Sequence, residues 1–266
     1  MDLDIKTYPF VLKRINYQGQ YCGMDTPGES KGSSRDFWEY PIQDFDYQFN
    51  SWGFRGEDFE QYIGEKVNIC LGDSMAVNIG GPVEHSWPSQ LAEHFDIPTL
   101  NFGMEAAGND AIFKVYQSAI RFFDVQNTFV MYSFLHRRLI NGKFEHSAYI
   151  LDHKEDFAYF LEHRIPNAVE CALPKINWLD SERVFLQNLK IYLSDSSGTN
   201  RDLPKINWLD SERVFLQNLK NIFLQNLKIY LSDSSGTNRD GQHMNYDANK
   251  IYADYLYQQW RQENES

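Results

Sequence analysis

One stretch limits what this chain can become: residues 66–81, KVNICLGDSMAVNIGG, read as a short buried strand that stops abruptly at Gly72-Asp73-Ser74. Val67, Ile69 and Leu71 are apolar with Cys70 between them, and a strand delivering a small-residue turn is how open α/β sheets present reactive groups at their carboxyl edge. Gly72 permits a sharp turn, Asp73 can accept from turn amides, and the amide of Ser74 is then free to face a substrate. Ser74 is the candidate nucleophile. Gly-Asp-Ser also occurs in plain strand-to-helix connections, so the tripeptide alone identifies no chemistry.

The pattern downstream repeats strand, turn and helix. Trp87, Leu91 and Phe95 recur every four residues, with Pro88 in the first turn, which predicts a short amphipathic helix. Residues 98–102 read as the next strand, closing on Gly103, and Ile112, Val115, Tyr116, Ala119, Ile120 and Phe123 form a helical stripe after it. Residues 128–135 are a third apolar strand, followed by His136, Arg137 and Arg138. A last helix, residues 246–260, carries Ala248, Ile251, Tyr252, Tyr255 and Leu256 on its apolar side. Strands alternating with helices predict an α/β fold: a three-layer α/β/α sandwich with a mostly parallel, flavodoxin-like sheet. His85 and His94 read as surface histidines, and Cys70 as strand core.

A chain of 266 residues suffices for one such domain with appendages. Residues 1–62 are aromatic, acidic and turn-rich, and read as an extension packed on a catalytic domain at 63–266. Within the extension, Asn50-Ser51-Trp52-Gly53-Phe54-Arg55-Gly56 places aromatics around a glycine and an arginine. Arg55 reads as a surface salt bridge or loop clamp rather than a substrate contact. A net charge of -12 argues against a nucleic-acid groove. The three cysteines (Cys22, Cys70 and Cys171) have neither an even count nor metal-ligand spacing, so no disulfide framework and no metal are expected. No apolar stretch approaches the length of a membrane span and the first ten residues do not resemble a signal peptide, which predicts a cytoplasmic protein.

Residues 173–190 recur letter for letter as 203–220, and 191–202 recur as 229–240, with the hexamer FLQNLK appearing a third time in residues 223–228. Solenoid repeats diverge at many positions and need several units, so this reads as a duplicated insertion at about 173–228, natural or otherwise. Beyond it, a polar loop runs into Asp240-Gly241-Gln242-His243. A carboxylate and a histidine three residues apart can share one turn. Asp240 would hold the Nδ1–H of His243 and leave Nε2 as a general base for a serine hydroxyl. A solvated loop with a chance DxxH is the plain alternative.

Taken together, the three signals resemble the GDSL, or SGNH, hydrolase family: Gly72-Asp73-Ser74 after the first core strand, Asn101-Phe102-Gly103 after the second, and Asp240-Gly241-Gln242-His243 before the last helix, in the family's order. The run from Asn50 to Arg55 also looks like a segment of some bacterial members. The resemblance covers about residue 48 to the C terminus, interrupted by the duplication. It implies Ser74 as nucleophile, His243 as base, Asp240 as its orienting acid, and the amides of Ser74 and Gly103 as oxyanion-hole donors. Asp73, His136 and Arg137 fall beside that site as candidate substrate contacts.

One departure from the family concerns the asparagine expected after the third core strand, where this chain has Ser133-Phe134-Leu135-His136-Arg137. Gly108-Asn109-Asp110 has similar letters but follows Gly103 too closely for an intervening strand, and Asp110 suits a helix cap. Losing one oxyanion donor costs about 3 kcal/mol of transition-state stabilisation, so either Asn109 or His136 substitutes or turnover is slow. The expected function is hydrolysis of a small or medium acyl ester, including O-acetyl groups on carbohydrate, through an acyl-serine intermediate and without a cofactor. An O-acyltransferase would use the same triad, and a catalytically inactive SGNH-like binding domain is the reading from a different class. The sequence carries no sign of oligomeric state.

Overall fold

In the computed structural model the described residues are 9–23, 25, 45–133, 137–140, 143–146, 159–160, 162–172, 244 and 246–264. The duplicated segment, Asp240, His243 and His136 lie outside them. Four parallel strands make the central sheet: β3 (Lys66–Gly72), β4 (Thr99–Gly103), β5 (Asp124–Tyr132) and β8 (Val169–Ala172), in the order β4-β3-β5-β8. The chain steps from β3 to β4 on one side, then crosses back to β5 on the other. This is the flavodoxin-like order, and its switch point lies between the carboxyl ends of β3 and β5, where a crevice forms in such folds.

Alternation along the strands sorts the core into two faces. Val67, Ile69 and Leu71 of β3 and Val130 and Tyr132 of β5 pack with Ala111, Ile112, Val115 and Ala119 of helix α4 (Asn109–Ala119). Cys70, Phe129 and Met131 point the other way, onto Trp87 and Leu91 of α3 (Trp87–Ala92) and Ala248, Tyr252 and Leu256 of α5 (Tyr246–Asn264). The result is the expected three layers. Helix α3 carries its proline in the first turn, and Ser86 caps it by accepting from Ser89 N. The fourth strand, β8, was not legible in the sequence.

The buried stripe of α5 differs from the expected one. Ala248, Asn249, Tyr252, Ala253 and Leu256 are buried, whereas Ile251 is 41% exposed. The face is turned toward Asn249, whose amide is committed to the interior, as set out below.

Several described residues before β3 belong to the same core, among them Val11, Trp52, Phe54 and Phe59. A short helix, α1 (Pro9–Leu12), sends Val11 into it, and strand β1 (Gln18–Gly19) pairs with β2 (Tyr47–Gln48), whose Tyr47 packs with Val77 and Ile79. Asn50 folds the loop that follows: its Oδ1 accepts from Trp52 N and Phe54 N, both at 3.0 Å, and its Nδ2 donates to the carbonyl of Glu57 at 2.8 Å. Gly53 turns with φ of +80°, and a Cβ there would stand 2.5 Å from the carbonyl oxygen of Val11. Trp52, Phe54 and Phe59 thereby enter the β3–β4 core face. An antiparallel pair, β6 (Arg137–Ile140) with β7 (Lys143–His146), follows β5. Among the described residues, no helix is long and apolar enough to cross a membrane.

Candidate active site

Ser74 opens a one-turn helix, α2 (Ser74–Val77), directly after β3. From Val67 to Pro82 it is the one residue that is not buried. Its amide stands in the first helical position, where no intrahelical acceptor exists. Asp73 supplies the cap: it is 1% exposed, and its Oδ1 accepts from Met75 N at 3.0 Å.

The other oxygen of Asp73 faces the switch point. Oδ2 accepts from Ser133 Oγ at 2.9 Å and from Arg137 Nη1 at 3.1 Å, so one carboxylate joins the end of β3, the end of β5 and the start of β6. Arg137 Nη1 also lies 3.2 Å from Ser133 Oγ, and burial pulls the pKa of its guanidinium down against the opposing pull of Asp73. Asp73 and Arg137, expected beside substrate, are thus paired with each other in the interior. Ser133 was not singled out as a site residue in the sequence; its signal is its place at the end of the third core strand.

Two glycines and Asn101 fix α2 against its neighbours, and Asn109 fixes the end of β5. A Cβ on Gly103 would stand 2.7 Å from Val77 N and 2.8 Å from Ala76 C, so the absence of a side chain is what lets α2 lie on the end of β4. A Cβ on Gly72 would meet that of Ala76 at 2.9 Å. Asn101 then donates from Nδ2 to the carbonyl of Ala76 at 2.8 Å and accepts from the amide of Gly103 at 2.9 Å. The Gly103 N–H, expected to face an oxyanion, is thereby directed to Asn101. Asn109 sits at the start of α4 and grips Ser133 by both backbone groups: Oδ1 accepts from Ser133 N at 2.8 Å and Nδ2 donates to Ser133 O at 3.1 Å. One of its two amide hydrogens is left over. Asp110, beside it, accepts from Ala111 N at 2.8 Å within the first turn and from Tyr159 OH at 3.0 Å, while Gly108 holds the cap position itself.

Of the two roles expected for Arg55, a surface salt bridge or a loop clamp, the structure shows the clamp. Arg55 is 2% exposed, and its guanidinium donates to the carbonyls of Val77 and Asn78, at the end of α2, and of Gly81. Tyr47 lies beneath it, with the guanidinium carbon 4.3 Å from the ring centre, and its hydroxyl donates to Asp25 and accepts from Gly80 N, each at 2.6 Å.

On the far side of α2, Asn249 of α5 donates to Asn78 Oδ1 at 3.1 Å and to Met244 O at 2.9 Å. Met244 shares a buried cluster with Met75. The residue after His243 and the residue after Ser74 therefore belong to one core, at the carboxyl end of β3.

The chain is similar to solved GDSL-type structures. These include a protein ascribed to the G-D-S-L lipolytic family from Desulfitobacterium hafniense DCB-2, at 14% identity and a TM-score of 0.39 over 73% of this chain and 98% of that one. The esterase EstA from a Pseudoalteromonas species is similar at 12% identity and a TM-score of 0.37, over 76% and 99% of the two chains. A GDSL-like lipase from Bacteroides ovatus ATCC 8483 is similar at 12% identity and a TM-score of 0.33, over 78% of this chain and 54% of that one. No protein-family model matches the sequence, and no curated protein is significantly similar to it. Among the described residues, no group of three or more His, Cys, Asp or Glu side chains could hold a metal ion.

Proposed function

We propose that the protein is a serine esterase of the SGNH/GDSL type, acting on small or medium acyl esters, O-acetylated carbohydrate among them. One observation carries the reading: Ser74 is the single accessible residue in a buried run, placed at the switch point of a parallel sheet. Ser74 Oγ attacks the acyl carbon, His243 takes the proton and returns it to the departing alcohol, and Asp240 orients the imidazole. The oxyanion is met first by the Ser74 amide, whose N–H has no helical acceptor. Asn109 joins with the amide hydrogen it does not spend on Ser133. Gly103 joins only if its N–H exchanges Asn101 for the substrate oxygen. Water then cleaves the acyl-serine. If water is excluded, another alcohol takes the acyl group and the same residues perform transfer.

Labelling by a fluorophosphonate tests this directly, because only an activated serine reacts quickly with it. The expected result is one modified residue, Ser74, and no labelling of Ser74→Ala. A folded parent protein that stays unlabelled, and turns over no chromogenic ester from acetate to decanoate, would support the binding-domain reading instead.

A further inference from the structure

Arg55 is a buried cation whose guanidinium donates to three backbone carbonyls. Its Nη1 donates to Val77 O at 2.7 Å and Asn78 O at 2.6 Å, and its Nη2 to Gly81 O at 2.8 Å. Among the described residues it forms no ion pair with a carboxylate, and burial lowers its pKa. Placing an unpaired charge in an interior is costly, and a helix end with free carbonyls is one of the few backbone features that offsets the cost. Two of the three carbonyls, those of Val77 and Asn78, end the turn that begins at Ser74.

A helix of one turn cannot hold its own shape, since nucleation fixes several residues for each hydrogen bond gained. The geometry of α2 is imposed at both ends instead. Asp73 caps its start, and Arg55 gathers the carbonyls of its end together with that of Gly81. Asn78 sits between them in a left-handed conformation, φ +58°, and Tyr47 takes the amide of Gly80. The loop 77–81 is thus closed on side chains from the 47–55 segment, and Ile79 N returns to Ser74 O at 3.4 Å. We propose that Arg55 is a positioning residue for Ser74: it touches no substrate and sets the direction of the Ser74 amide and hydroxyl through the 77–81 loop. This rests on the serine-esterase reading of Ser74.

The test compares the parent protein with Ser74→Ala, Arg55→Gln and Arg55→Lys, each first checked for cooperative melting. Labelling of the parent and silence of Ser74→Ala establish the esterase reading by themselves; a parent that does not label removes that reading and the proposal with it. Given a reactive parent, Arg55→Gln should phosphonylate, and turn over ester, about a hundredfold more slowly, as a displacement near one ångström does. KM should stay within about twofold, because Arg55 acts on the reacting group and not on substrate binding. Arg55→Lys, which restores the charge and three donors, should recover about tenfold of that loss. Folded variants that label within about twofold of the parent overturn the proposal. If both variants fail to fold, native-state hydrogen exchange on the parent decides. Positioning by Arg55 requires the Ile79, Gly80 and Gly81 amides to open only with the central sheet, and exchange of these amides at loop rates overturns it.

Discussion

Asn249 and Asn78 are joined amide to amide at 3.1 Å, across 171 residues of chain. The contact ties helix α5 to the turn behind Ser74. Asn249 also donates to Met244 O and accepts from Trp87 N at 3.0 Å, so one fully buried side chain serves three elements. Because Met244 follows His243, the same amide fixes the chain next to the proposed base. It is the structural reason to expect the histidine of the motif near the serine.

Replacing Asn249 by alanine should therefore cost more than a surface change. It removes the bonds to the Met244 carbonyl, the Trp87 amide and Asn78 Oδ1, and a buried polar group left without a partner costs about 1–3 kcal/mol. These losses overlap, and a total near 3 kcal/mol corresponds to a melting temperature about 6–12 °C below the parent's. Calorimetry on Asn249→Ala checks the figure, and ester turnover should fall as well. A variant that melts within a degree or two of the parent would show that the network contributes nothing.

The pH dependence follows from a base that works only as neutral imidazole. With His243 in that role, kcat/KM should rise through one ionisation between about pH 6 and 8 and then level off. The shifted groups around α2 leave that window clear: burial raises Cys22 and Tyr47 well above their ordinary ranges, and it lowers Arg55 only to about 10. None of the three changes charge near neutrality, so none should add a second limb. Rate measurements from pH 5 to 9 on the parent and on His243→Ala are the check. A His243→Ala enzyme with the parental rate and profile would transfer the role of base to another histidine, such as His136.

Gly103→Ala tests how tightly α2 is seated. The new Cβ would meet backbone, Val77 N at 2.7 Å and Ala76 C at 2.8 Å, so α2 itself has to move. Overpacking of this kind costs about 1–3 kcal/mol. Activity should fall together with stability, because the displaced element carries Ser74, the proposed nucleophile. Thermal melts read beside ester kinetics will show both losses, and a variant unchanged in either would mean that α2 has room to spare.

Much of this architecture is legible in the sequence because it is periodic. The alternation of Val67, Ile69 and Leu71 and the stripe of Ile112, Val115 and Ala119 announce their faces locally, and the structure places them there. What the sequence hides is pairwise and distant. Arg55 on the carbonyls of 77–81, Asn249 on Asn78, and Asn109 on Ser133 leave no period, since each needs only one partner far along the chain. A faint signal exists for Asn249, a lone amide on the same helical face as Tyr252, Ala253 and Leu256. Ser133 shows the converse case: its place after the third core strand is legible, while its hydroxyl's bond to Asp73 is a matter of three-dimensional closure.

The last prediction concerns the duplicated segment. Strand β8 pairs in parallel with β5, from Phe129 opposite Val169 to Tyr132 opposite Ala172, and the first copy begins at the next residue. Asp202 and Asp240 end identical dodecamers, yet only Asp240 is followed three residues later by a histidine. The first copy therefore has no partner with which to build the triad. Deleting residues 173–202 joins Ala172 to Leu203, and because 203–220 repeats 173–190, β8 is followed by the same eighteen residues as before. The junction introduces no new local sequence, so the fourth strand keeps its exit. A surplus copy of this kind is the sort of insertion a surface tolerates and a protease finds. The shortened protein should keep its ester turnover and fluorophosphonate labelling and resist proteolysis at least as well as the parent. Assaying the three on one deletion variant decides the matter: a product that folds but neither labels nor turns over ester would show that the first copy helps to build the site.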